Sequence, residues 1–168
     1  YAAGVPMGGE LVAPAAGPAA PRFLALALQD PEEAPLERLQ VIKGWVEGGQ
    51  TRERVCDVAC ADGSAPAAPP WRCASGGREP STHDCAPDTA SGAAQLDASW
   101  SDPEFDPSQR AFYYLRVLQV PTCRWSTWDA NRLGVEPPGA VPPVIQERAV
   151  TSPIWYAPPA RPQEAEPA

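Results

Sequence analysis

The 168-residue chain has one histidine, His83, and it stands directly before Asp84 and Cys85. A histidine beside a cysteine could activate a thiol nucleophile, and an Asp-His pair could join a metal shell. Adjacent loop residues rarely converge on one point, and no second histidine exists to complete a shell. A solvated loop histidine is the favoured reading. Asp102, Glu104 and Asp106 alternate in SDPEFDPS, like the carboxylates of a calcium loop. The glycine and the distant glutamate of an EF-hand are missing, and Asp-Pro turn chemistry accounts for the string. GVPMGGE lacks the G-K-[ST] ending of a phosphate loop and reads as a turn entering a strand. No catalytic residue and no metal ligand is assigned.

Five cysteines remain to be placed: Cys56, Cys60, Cys73, Cys85 and Cys123. They contain no C-x-x-C pair and fit no zinc spacing. Cysteines in a Pro-rich, lysine-poor chain favour an oxidising compartment and disulfides over free thiols. Of the six tryptophans, Trp45, Trp100 and Trp155 fall in expected strands and are assigned to the core. Trp71, Trp125 and Trp128 fall in expected loops, where an indole can stack on a sugar, anchor a partner or cover the end of a sandwich. With Arg124 and Arg148 they make up the candidate interface set. For the two arginines the plainer alternative is a structural ion pair or a solvated side chain.

The elements that must position these residues are strands. QRAFYYLRVLQV, residues 109–120, alternates Ala111, Tyr113, Leu115 and Val117 against Phe112, Tyr114, Arg116 and Leu118. Successive strand side chains point to opposite faces, and both sets here are largely apolar. The pattern predicts a central strand packed on both sides and stopped by Pro121. RFLALALQ, 22–29, reads as a buried strand. LERLQVIKGWVEGG and TRERVCDVAC read as an antiparallel hairpin turning at Gly48-Gly49. AAQLDASW is another short strand, and VIQERAVTSPIWY is a last one broken by Pro153. Residues 61–92 show no period, and a loop that long needs something to tie it down. A single helical turn, ANRL, is expected after Thr127 or Asp129 and ends at Gly134. The sum is an all-β antiparallel sandwich, immunoglobulin-like, of about six to seven strands with long loops.

Composition agrees. The chain carries 23 prolines, nearly three times the usual ~5%, which argues against long helices. Net charge is -8 with scattered bases, so no nucleic-acid partner is expected. Apolar runs fall far short of the ~20 residues of a membrane helix, so no membrane insertion is expected. The start, YAAGVPMGGEL, has no initiator methionine and suggests a fragment or a processed product. One domain over 1–158 is expected, followed by a disordered Pro-rich tail, 159–168.

Five strings carry a resemblance: YAAGVPMGGEL, LERLQVIKGWVEG, CDVACADG, DPEFDPSQRAFYYLRVLQVPTCRWSTWDA and IQERAVTSPIWYAP. In that order they resemble the C-terminal end of the bacterial "domain of unknown function 3604" family, from Tyr1 to about Pro158. Each string alone is weak, but five in the right order are specific. Full members are several times longer and are similar to PHP-type metal-dependent hydrolases, whose clustered histidines and acids bind divalent metal ions. Such sites hydrolyse phosphate-type or related esters through metal-activated water. The resemblance places those ligands upstream, on no residue of this chain. It also implies export, to the periplasm or beyond the cell.

Many relatives have an aromatic where Cys56 stands, which makes Cys56 the odd cysteine and Cys60, Cys73, Cys85 and Cys123 the disulfide candidates. The expected pairs are Cys73 with Cys85, closing the long loop, and Cys60 with Cys123, tying two strand ends. The resulting expectation is a non-catalytic C-terminal β-sandwich, packing on an upstream catalytic domain of the same chain and shaping its active site. It predicts a broad uncovered apolar face. The alternative is a secreted stand-alone module whose loop tryptophans hold a carbohydrate or a protein.

Overall fold

The computed structural model describes residues 4–12, 19–67, 69–74, 79–86 and 90–158. Its elements are β1 (Glu10–Val12), β2 (Arg22–Leu28), β3 (Leu36–Glu47), β4 (Gln50–Cys60), β5 (Gln95–Ser101) and β6 (Ala111–Gln119). They continue with β7 (Thr122–Cys123), α1 (Trp125–Leu133), β8 (Val144–Ile145), β9 (Arg148–Val150) and β10 (Ile154–Ala157). The fold is all-β and sandwich-like, as the alternation predicts. One layer is a sheet in the order β1-β10-β6-β3-β4, with β9 also paired to β6. Among the described residues, the facing layer is the antiparallel pair β2-β5. The tail at 159–168 lies outside the described residues.

The predicted central strand is central. β6 pairs with β3 along its length and with β10 and β9 on its other side. Its inner face meets β2-β5: the Tyr113 ring lies 4.6 Å from Phe23, and Phe23 lies 5.9 Å from Trp100. Leu36 and Leu39 close the core against Ala25 and Leu96. The outer face departs from the expectation, because Phe112, Tyr114 and Arg116 are only half-buried.

The β3-β4 hairpin turns where expected. Gly48 and Gly49 take φ of 58° and 76°, the left-handed pair that a two-residue turn needs to follow the strand twist. Register shifts between Leu39 and Gln40 then bring Asp57 opposite Gln40.

Three expectations are corrected here. RFLALALQ is not buried throughout: Phe23 and Ala25 face the core, while Leu24, Leu26 and Leu28 point outward at 80%, 62% and 66% exposure. Among the described residues, no layer packs on the outer side of this two-stranded pair, so its leucines are exposed. Trp155 is half exposed rather than core, because β10 turns Tyr156 inward and the neighbouring Trp155 outward. The helix is longer than one turn and starts at Trp125. Gly134 ends it in the left-handed conformation, as expected, but Thr127 is no cap: its hydroxyl donates to the Pro143 carbonyl at 2.8 Å.

The four expected cysteines form two bridges, and Cys56 is free and buried. Their pairing differs from the expected one: the bonds are Cys60–Cys73 and Cys85–Cys123. The loop after β4 folds straight back on it. Asp57 N–H donates to the Trp71 carbonyl and Cys73 N–H to the Asp57 carboxylate, at 2.9 and 2.8 Å, which sets Cys73 beside Cys60. Cys85 is held at the other end, where Asn131 of α1 donates to the Thr82 and His83 carbonyls.

Candidate functional site

The groups with chemical potential are spent on structure. Cys85 is in a disulfide, so His83 has no thiol beside it to activate. His83 is exposed, and the Asp84 carboxylate accepts the Ala86 N–H at 3.2 Å. That backbone bond is the first cause holding the Asp84 carboxyl below its ordinary range. The three carboxylates of SDPEFDPS do not converge. Asp102 is buried and accepts from Lys43, Tyr113 and the Glu104 N–H. Glu104 pairs with Arg54 at 2.7 Å. Asp106 accepts the Ser108 hydroxyl and N–H, and these bonds lower its pKa. Among the described residues, no group of three or more His, Cys, Asp or Glu side chains could hold a metal ion.

A second polar knot stiffens the β3-β4-β6 junction. Buried Asp57 accepts from the Gln40 amide at 2.6 Å, and the Gln40 carbonyl accepts from Arg116 at 2.7 Å. Arg38 and Arg72 stand 3.7 and 3.6 Å from the same carboxylate. Gln40 links Asp57 of β4 to Arg116 of β6 across β3, so the knot fixes register rather than offering a reactive group.

What the molecule does leave open is surface. A groove of about 1030 Å³ runs along the outer side of the large sheet. Its floor is Gly44, Phe112 and Trp155, and Arg52, Glu53 and Arg110 stand on its rim. Phe112 lies directly opposite Gly44 in the β3-β6 ladder. With no Cβ at Gly44 the ring lies down across β3 and meets Trp155 at 5.3 Å and Tyr114 at 6.4 Å. The result is an aromatic sheet face, open at one end of β6. At the other end, β9 pairs with β6 in the plane of the sheet, and the Gln146 side chain donates to Glu37 and the Gln119 carbonyl.

The candidate interface residues fall in separate places. Arg124, Trp125 and Trp128 come together at the start of α1, where the two indoles are 71% and 44% exposed. Arg124 Nε donates to the Pro142 carbonyl. Arg148 is exposed on β9. Trp71 is half-buried in the loop beside β4, its indole nitrogen buried without a partner and its φ at 60°. The Phe112–Trp155 groove escaped sequence reasoning. Alternation separates two faces of a strand but does not say which one the fold covers.

The family model described as "Protein of unknown function (DUF3604)" matches residues 1–158. No curated protein and no solved structure matches the chain. The five ordered strings and the family match agree in extent, and the chain belongs to the DUF3604 family.

Proposed function

We propose that this chain is a non-catalytic β-sandwich domain of an exported metal-dependent hydrolase, and that it packs on the upstream catalytic domain and shapes its active site. The observation that carries the reading is the open aromatic groove on the outer face of β6. It presents Phe112 and Trp155, 5.3 Å apart, in an open groove on the central sheet. A sandwich outer face is ordinarily polar, and an aromatic one at the sheet centre is what a neighbouring domain would bury. The buried charges Lys43, Asp57 and Asp102 are engaged by hydrogen bonds, which supports a structural rather than a catalytic part. Periplasmic or secreted placement is supported by the two disulfides. The divalent ions of the reaction would belong to the upstream domain.

The test mixes this chain with the upstream polypeptide, expressed separately, and follows association by sedimentation. The expected result is a complex that Trp155→Glu and Phe112→Glu each weaken at least tenfold. Absence of association, or association indifferent to both changes, overturns the reading. A second reading, a module that holds a carbohydrate or a protein, is favoured by the exposed Trp125 and Trp128 pair on α1.

A further inference from the structure

We propose that β2 is the self-pairing edge of a two-fold symmetric homodimer, in which β5-β2 of one copy joins β2-β5 of the other to make a continuous four-stranded layer. The starting point is an edge that lacks the usual protection. Sheet edges are normally blunted by a lysine, a proline, a bulge or a covering segment. Among the described residues β2 has none of these: its register with β5 runs unbroken from Arg22↔Ser101 to Leu28↔Gln95. Among the described residues β5 is its sole ladder partner. Its outward leucines are the most exposed apolar row of the domain.

The occupant is set by the sequence of the strand itself. Residues 22–30 read Arg-Phe-Leu-Ala-Leu-Ala-Leu-Gln-Asp. The Leu-Ala-Leu-Ala-Leu centre is the same in both directions about Leu26. An antiparallel copy centred there sets Leu24 against the second copy's Leu28, Leu26 against Leu26, and Ala25 against Ala27. The same symmetry sets Arg22 against Asp30. Arg22 and Asp30 are both exposed, so unlike charges meet at each end of the paired segment. An isologous interface requires this kind of self-complementarity.

Backbone parity agrees. Gln29 N–H donates to the Ala94 carbonyl, so the odd-numbered residues of this strand turn their polar groups toward β5. Leu24, Leu26 and Leu28 therefore turn theirs toward the open edge. Pairing about Leu26 matches even residues with even residues, so every unpaired N–H and C=O on that edge meets a partner. The leucines of both copies then lie on one face of the joined layer and cover one another's flanks. The groove at Phe112 and Trp155 is not used, so the dimer and the docking of an upstream domain are separate properties.

Sedimentation velocity on this chain is the first measurement, and a concentration-dependent dimer is the expected result. Leu26→Lys should give a monomer with an unchanged circular dichroism spectrum, since that side chain faces outward. Arg22→Asp should weaken the dimer and Arg22→Asp/Asp30→Arg should restore it. Cross-linking fixes the register. Directly opposed hydrogen-bonded residues lie about 5.5 Å apart at Cα, within disulfide reach, whereas Leu24 and its own symmetry mate are about 13 Å apart along the strands. Leu26→Cys should therefore form a covalent dimer on oxidation. Leu24→Cys alone should not, and a mixture of Leu24→Cys with Leu28→Cys should. A monomer at all concentrations, a dimer untouched by Leu26→Lys, or a cross-link through Leu24→Cys alone overturns the proposal. So does a monomer whose Leu26→Lys variant loses binding to the upstream polypeptide, since the row would then belong to that domain.

Discussion

Lys43 Nζ lies 2.5 Å from the carboxylate of Asp102, and both residues are only 4% exposed. The ammonium also donates to the Glu104 carbonyl and sits over the rings of Trp45 and Tyr113, at 5.3 and 5.8 Å. The carboxylate accepts from Tyr113 at 2.9 Å as well. The pair joins the sheet centre to the loop between β5 and β6, and every partner is satisfied. Removing one charge strands the other in a dry site. Lys43→Met or Asp102→Asn alone should each lose about 3–5 kcal/mol. The double variant should lose clearly less than the sum, because the introduced amide carbonyl still accepts from Tyr113 and no cation is left unpaired. Urea melts of the three variants check this, and strict additivity would mean that the pair does not couple.

Burial raises the Tyr113 phenol, and the neighbouring Asp102 charge and hydrogen bond push it further in the same direction. The folded protein therefore keeps this proton where the unfolded chain releases it. Stability is fully present below the unfolded value near pH 10 and falls as pH rises above it. The slope attributable to one such tyrosine is about 1.4 kcal/mol per pH unit. Tyr113→Phe should flatten the alkaline limb of the stability profile relative to the parent protein. Tyr156, raised by burial first, leaves a residual slope in the variant. Thermal melts between pH 9 and 12 at constant ionic strength measure it; the values are chosen to bracket that ordinary phenol pKa of about 10.

Much of this was legible in the sequence because alternation is local. Strands β2, β3, β4, β5 and β6 lie where the two-residue rhythm sets them, and Gly48-Gly49 turns the hairpin between two of them. What alternation does not carry is the layer above each face. Leu24, Leu26 and Leu28 look like core residues until the facing layer is found to have only two strands. Trp155 looks buried for the same reason. Lys43 had a signal, a lone cation among Val41, Ile42 and Trp45, but its partner Asp102 is distant in sequence and could be found only by folding. Disulfide pairing depends on how the 61–92 loop returns, and a loop without period gives no register to reason from.

The two disulfides close loops of different length, 13 and 38 residues of separation. In the chain-entropy account, losing Cys60–Cys73 should cost about 3 kcal/mol and losing Cys85–Cys123 about 4 kcal/mol. Paired Cys→Ser variants and denaturant melts test the order. Peptide mapping without reduction tests the pairing itself, and a fragment joining Cys60 to Cys123 would contradict it. Cys56 is buried, and burial is the first cause raising its thiol pKa. It should resist alkylation in the native protein and react once the domain unfolds.

Gly44 and Phe112 face each other across β3 and β6. A Cβ at residue 44 would fall well inside contact distance of the Phe112 ring. Two effects then oppose one another in Gly44→Ala. Replacing a strand glycine stabilises by about 0.5–1 kcal/mol through lost unfolded-state freedom. Lifting the ring off β3 forfeits its packing and crowds Trp155, and such overpacking costs about 1–3 kcal/mol. The net expectation is a loss. In a Phe112→Ala background the ring atoms nearest to residue 44 are gone, so the same substitution should become neutral or stabilising. That reversal of sign is the measurement, made by urea melts of the four proteins in the cycle. An equal loss in both backgrounds would mean that the ring is not what requires the glycine. If the sign does reverse, the Phe112 ring is what requires the glycine, and under the proposed function Gly44→Ala should also weaken association with an upstream polypeptide without unfolding the sandwich.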